Sequence, residues 1–216
     1  QEWLTDLKEV CDLGPNHISC YELSYEPGTL LTKQKNQGKI NATDPDLATS
    51  FFLKTRASLK ERGFEAYEVS AFAKSKKYCE HNLQYWTHSP YVGIGAGASS
   101  WITPKIIKNI DAPHKYIESI ARKGNAINTA QNCSKETILF DQLMMGLRLE
   151  GWGVDYSGFQ LGPHAMLQKI NTFIKRGLLE TYKKNNRVFL RATKTGFLQL
   201  DSILQAILPS PSSHSV

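Results

Sequence analysis

Trp3-Leu-Thr-Asp-Leu-Lys-Glu-Val-Cys-Asp-Leu-Gly-Pro-Asn-His17-Ile-Ser-Cys-Tyr-Glu-Leu-Ser24 changes its periodicity halfway along. Trp3, Leu4, Leu7, Val10 and Cys11 recur at helical spacing, and Gly14-Pro15 supplies a stop. His17 to Ser24 is short and apolar-rich, bounded by Pro15 and by the turn signal Glu26-Pro27-Gly28-Thr29, and it reads as a buried strand. A helix joined tightly to a strand is the grammar of an α/β fold.

That grammar repeats downstream. Asp44 is placed to cap a helix with Pro45 at its first position, and Ala48, Phe51, Phe52, Thr55 and Leu59 share one face before Gly63. Phe64 to Val69 follows as a strand, and residues 71–90, polar and aromatic without a period, read as a loop. Tyr91 to Ser100 reads as a strand ending in glycines, and Ala112 to Lys123 as a helix. Residues 1–125 therefore read as part of a β/α barrel.

The polar stretch Gly124 to Asn132 reads as a linker to a second module at 133–208. Ser134 can cap a helix bearing Ile138, Leu139, Leu143 and Leu147. A second helix after Pro163 groups Met166, Leu167, Ile170, Phe173 and Ile174 before Gly177. Leu178–Tyr182 and Val188–Ala192 bracket Lys-Lys-Asn-Asn-Arg as a hairpin, and a last helix runs from Lys194 to Leu208. Helices followed by a two-stranded wing describe a winged-helix-like α+β domain. The Pro/Ser-rich residues 209–216 are expected to be disordered.

The chain's 216 residues carry 26 Lys+Arg against 20 Asp+Glu, a net +6 without a run of about five or six like charges, so a basic surface is permitted but nucleic acid is not demanded. Cys11, Cys20, Cys79 and Cys133 are widely spaced, which points to a reduced, cytoplasmic protein. No apolar run reaches the roughly 18 residues of a spanning helix, so membrane insertion is not expected. The first residue is Gln rather than Met, so the start of the protein is expected upstream.

His81-Asn82-x-x-Tyr85-Trp86, preceded by Cys79, is the sharpest constellation. A histidine offers a nitrogen to iron, Asn82 can fix orientation, and Tyr85 and Trp86 make an apolar wall suited to a flat macrocycle. The plainer reading makes Tyr85 and Trp86 anchors of a long loop and His81 an ordinary hydrogen-bonding residue. A zinc site starting from Cys79 and His81 would need a second ligand pair at metal-ligand spacing, which is lacking. Gly93-Ile-Gly95-Ala-Gly97-Ala98-Ser99-Ser100 could let a ligand approach backbone N–H groups or could simply permit close packing; it is not a dinucleotide fingerprint. Tyr21, Glu22, Ser24 and Glu26 end a strand, where β/α barrels place active sites, although Pro27-Gly28 would make a turn in any case. Lys183, Lys184, Arg187 and Arg191 could touch phosphates, but with Glu180 among them they read better as a solvated hairpin.

In order, His17-Ile-Ser-x-Tyr-x-Leu-x-x-Glu-Pro-Gly-Thr29, Gly63-Phe-Glu-Ala-Tyr-Glu-Val-Ser-Ala-Phe-Ala73, Cys79-x-His-Asn-x-x-Tyr-Trp86 and Tyr91-Val-Gly-Ile-Gly-Ala-Gly-Ala98 resemble consecutive blocks of the HemW-like branch of the oxygen-independent coproporphyrinogen oxidase family. Met144-Met-Gly-Leu-Arg-Leu-Glu-Gly151 and the wing resemble that family's C-terminal domain, so the likeness extends to about Leu208. The resemblance implies a radical-SAM barrel holding a 4Fe-4S cluster and S-adenosylmethionine, followed by a small winged domain. It implies a chaperone that binds heme, with His81, Asn82, Tyr85 and Trp86 as the heme contact, and passes it to hemoproteins of the respiratory chain; a homodimer is compatible with it. Tyr21, Ser24, Gly95, Ala98 and Ser99 fall where such a barrel approaches its cofactor.

Two departures stand out. The family's three closely spaced cluster cysteines have no counterpart here, so no metal ligand and no catalytic residue is assigned within this chain, which is expected to begin inside the barrel. Ser99 also stands where many relatives carry His. The alternative to a chaperone is an oxidase that decarboxylates coproporphyrinogen III, and a winged-helix nucleic-acid module is a remote third.

Overall fold

The computed structural model describes residues 2–207. The tail expected at 209–216 lies outside the described residues, as does Leu208. The chain divides into two compact units, residues 1–79 and the remainder from Glu80.

In the first unit, α1 (Glu2–Asp12) leads to β1 (His17–Ser19), and α2 (Leu30–Asn36) and α3 (Pro45–Glu61) precede β2 (Glu65–Ala66) and β3 (Ala71–Ala73). Asp44 caps α3, its Oδ1 accepting the N–H groups of Asp46 at 3.0 Å and Leu47 at 3.1 Å, with Pro45 in the first turn. Leu7 and Cys11 of α1, Leu59 of α3, Ile18, Phe64 and Phe72 are buried together as this unit's core. Burying such side chains contributes roughly 1.5–3 kcal/mol each.

Two strands are shorter than their sequence suggests. The strand expected from His17 to Ser24 ends at Ser19, and the one expected over Phe64–Val69 is the pair Glu65–Ala66. The chain then reverses, with Tyr67 N–H donating to Ala71 O at 3.2 Å and Ser70 N–H donating to the Glu68 carboxylate at 3.0 Å. β3 lies between β1 and β2, antiparallel to both. α2 was not anticipated; it starts where Thr29 Oγ1 accepts Thr32 N–H, directly after the expected turn.

In the second unit, α4 (Glu80–Trp86) comes first. β4 (Ser99–Ile102), β5 (Lys105–Asn109) and β6 (Ile127–Asn132) form an antiparallel sheet in that order, with α5 (Pro113–Lys123) between β5 and β6. Residues 127–132, read above as linker, are thus an edge strand, and all six are exposed. Such polar side chains give no burial signal, and the strand is fixed by its pairing with β5. Residues 92–98, read as a strand, are irregular; only Tyr91 pairs, as an isolated bridge to Trp101.

The remaining elements are α6 (Lys135–Gly146), β7 (Val154–Asp155), α7 (His164–Lys175), β8 (Leu179–Lys184), β9 (Arg187–Ala192), α8 (Lys194–Phe197) and α9 (Leu200–Ile207). Ser134 caps α6 as expected, accepting Thr137 N–H at 3.0 Å. β8 and β9 form the expected hairpin, turning through Asn185 and Asn186 at φ of 49° and 61°, the left-handed pair that a tight two-residue turn requires. β7 adds a third strand on the far side of β9. Leu143, Leu147, Phe159, Met166, Ile170, Leu179, Leu190 and Ile203 are buried. The last helix, expected as one piece, breaks between Phe197 and Leu200. Gly196 lies against the Leu178 carbonyl so closely that a Cβ would collide with it.

Candidate functional site

α4 carries the His81 block, which the sequence had placed in a loop. It makes about two turns and buries no side chain, so it has no apolar stripe by which to announce itself. His81 and Tyr85, four residues apart, share one face. His81 Nε2 and the Tyr85 hydroxyl are 3.2 Å apart, and the two rings meet edge-on at 4.9 Å. Tyr85 in turn contacts Tyr91, centroid to centroid at 4.6 Å. His81 is exposed, while Asn82, Tyr85 and Trp86 are half-buried.

The segment just beyond α4 is fastened by residues that the motif reading missed. His88, at a φ of 54°, packs its ring at a tilt against the buried Trp101 with centroids 4.6 Å apart, and its Nε2 lies 4.0 Å from the Asp141 carboxylate of α6. Burial lowers the His88 pKa and raises that of Asp141, so each is pushed toward its neutral form. Burial, with Tyr85 and Asp141 nearby, also raises the Tyr91 hydroxyl. Tyr91 and Trp101 exchange two backbone hydrogen bonds of 2.9 Å. Pro90 was the local signal of a turn here, since a residue just before a proline is pushed out of the helical region, and it is not a periodic signal.

The glycine segment is tied down from inside. Asn109 Nδ2 donates to Gly95 O at 3.0 Å, Gly97 N–H to Ile110 O at 2.9 Å, and Asn109 N–H to Ala98 O at 2.9 Å. Gly95 sits at a φ of 109°, and a Cβ on Gly93 would run into the Ser99 backbone. Ser99 opens β4 opposite Lys108. Close packing accounts for Gly93, and left-handed backbone for Gly95 and for Gly97 at a φ of 71°.

Tyr21 and Ser24 belong to the first unit. Ser24 Oγ donates to Glu26 Oε1 at 2.9 Å, closing the loop before α2. Tyr21 borders a cavity of about 360 Å³ lined also by Trp3, Cys20, Phe51, Phe52 and Phe72. Trp3 Nε1–H donates to Thr55 Oγ1 at 2.7 Å beside it. The apolar face expected for α3 is therefore split: Thr55 and Leu59 are buried, and Phe51 and Phe52 open onto this cavity. Burial, with Cys11 nearby, pushes the Cys20 thiol up to about 11, which keeps it protonated at neutral pH.

All four cysteines are free. Among the described residues no group of three or more His, Cys, Asp or Glu side chains could hold a metal ion, and no helix is long and apolar enough to cross a membrane. On the wing, Arg187 pairs with Asp155 at 3.2 Å and Arg191 with Glu180 at 2.9 Å, so two of the four hairpin cations already face carboxylates.

No family model matches the chain. It is 31% identical over 193 residues to the heme chaperone HemW of Synechocystis sp., an alignment covering 87% of this chain and 47% of the relative. It is 34% identical over 211 residues to HemW of Buchnera aphidicola subsp. Acyrthosiphon pisum, covering 96% and 54%. The chain is a homologue of the HemW-like radical-SAM proteins. The mitochondrial radical S-adenosyl methionine domain-containing protein 1 of Mus musculus is 29% identical over 225 residues, covering 97% and 50%. The chain spans about half the length of these HemW-like relatives. Among solved structures it resembles coproporphyrinogen III oxidase (HemN) from Escherichia coli, described as a radical SAM enzyme, with a TM-score of 0.67 at 16% identity, over 95% of this chain and 50% of that one. The expected fold class, the C-terminal part of a radical-SAM α/β fold with a small winged domain, agrees with that likeness.

Proposed function

We propose that this chain provides the heme-contacting part of a HemW-type heme chaperone, with His81 as an axial ligand to heme iron and heme as its cargo. The observation that carries the reading is the exposed His81 on α4, one turn from the half-buried Tyr85 whose ring it meets. An accessible imidazole beside aromatic rings fits a porphyrin, because the iron takes a nitrogen and the macrocycle takes an apolar face. The similarity to heme chaperones in sequence supports the same reading. Delivery to hemoproteins, and the division of the chain into a barrel piece at 1–125 and a winged domain at 133–208, belong to this proposal. The free cysteines suit the cytoplasmic setting that it assumes.

The thiols present do not fit an iron–sulfur cluster, since no three of them gather among the described residues. No step through a cluster or S-adenosylmethionine is assigned to this chain. The likeness to the oxidase, at 16% identity, supports the fold and not a decarboxylation.

Hemin titration tests the reading. The wild-type chain should give a shifted Soret band with saturable binding, and His81→Ala should lose the shift or bind at least about tenfold more weakly, the loss of one coordinate bond. Equal spectra and affinities for the two proteins would remove His81 from the site.

A further inference from the structure

We infer that the Tyr85 hydroxyl gates the iron-binding nitrogen of His81, occupying Nε2 when no heme is bound and withdrawing when iron binds, so that the cargo is held less tightly than a free imidazole would hold it. This inference rests on the reading of His81 as the iron ligand.

Iron needs an imidazole nitrogen with a bare lone pair. Nε2, the outer nitrogen, is the one a porphyrin can approach, because Nδ1 lies beside the side chain's own stem. Here Nε2 is 3.2 Å from the Tyr85 hydroxyl, and both tautomers close it. If the phenol donates, its proton sits on the lone pair. If Nε2–H donates to the phenol oxygen, the lone pair is on Nδ1, and the proton must move before Nε2 can bind.

The helix and the neighbouring ring both favour the closed arrangement. The i,i+4 spacing on α4 holds the two side chains together, and the edge-on contact at 4.9 Å orients the imidazole toward the phenol. Tyr91, at 4.6 Å from Tyr85, backs the phenol ring. Iron must break this hydrogen bond on arrival, and the bond reforms on departure. For a protein that hands its cargo on, the second event matters more, since a ready replacement partner for the departing ligand lowers the cost of release.

The test uses the 216-residue chain, hemin and an excess of apomyoglobin as acceptor. Tyr85→Phe keeps the ring and removes only the hydroxyl. It should tighten hemin binding about two- to tenfold, the range corresponding to one net hydrogen bond, and slow transfer to apomyoglobin by a similar factor, with an unchanged Soret position. In the His81→Ala background the same substitution should have no effect on affinity. Equal or weaker binding by Tyr85→Phe, while His81→Ala still loses its Soret shift, overturns the gate and leaves the ligand assignment standing. A shifted Soret band in Tyr85→Phe also overturns it, because the phenol would then be touching iron. If His81→Ala binds like wild type, the ligand assignment and the gate fall together.

Discussion

Glu68 is 1% exposed at the β2–β3 reversal, where its carboxylate accepts the N–H groups of Ser70 and Ala71. Burial outweighs those hydrogen bonds and raises its pKa. A carboxyl whose folded pKa lies above its unfolded value stabilises the fold below that unfolded value, and the contribution fades as pH rises through the folded pKa. Ionised Glu68 therefore burdens the fold at neutral pH. Glu68→Gln, which keeps an acceptor oxygen, should gain stability relative to wild type as pH is raised from about 4 to 7, measured by urea unfolding at both ends; a gap that shrinks over that interval contradicts the assignment. Nothing in the surrounding Tyr-Glu-Val-Ser marks Glu68 as buried, because an alternating strand pattern would have turned it to solvent. His81 shows the converse. Its residue type invites a ligand from the sequence alone, but its pairing with Tyr85 was not legible, since that depends on the segment being helical.

At the scale of elements, legibility followed end signals and buried stripes. α3 was readable because Asp44-Pro45 marks its start and Leu59 its buried face. Asp44→Ala should cost about 1 kcal/mol, detectable as a lowered urea midpoint, since two N–H groups of the first turn lose their acceptor. The wing was readable because two asparagines can adopt left-handed backbone without glycine. α4, with two turns and nothing buried, offered neither kind of signal, and the glycine run misled because a loop rich in small residues looks like the end of a strand. Its order comes from Asn109, a residue in a different strand, which no local pattern can supply.

For the whole molecule, the two units carry separate cores. The second contains Leu143, Ile170, Leu190 and Ile203, each at most 1% exposed. A chain cut to residues 80–216 should therefore fold cooperatively, seen as a sigmoidal thermal transition in far-UV circular dichroism. Ile170→Ala in the same fragment should cost about 2–5 kcal/mol. The boundary at Cys79–Glu80 was not visible in the sequence, because it falls inside a motif rather than in a stretch of linker composition.

β6 carries a liability of its own. Among the described residues it borders only β5, it exposes all six of its residues, and it has neither lysine nor proline along Ile127–Asn132 to discourage another chain from adding a strand. Concentrated solutions of this polypeptide are thus expected to scatter light progressively and to gain thioflavin fluorescence, and Thr129→Lys should delay both. Handling it dilute, or with that lysine in place, is the practical course for anyone loading it with porphyrin.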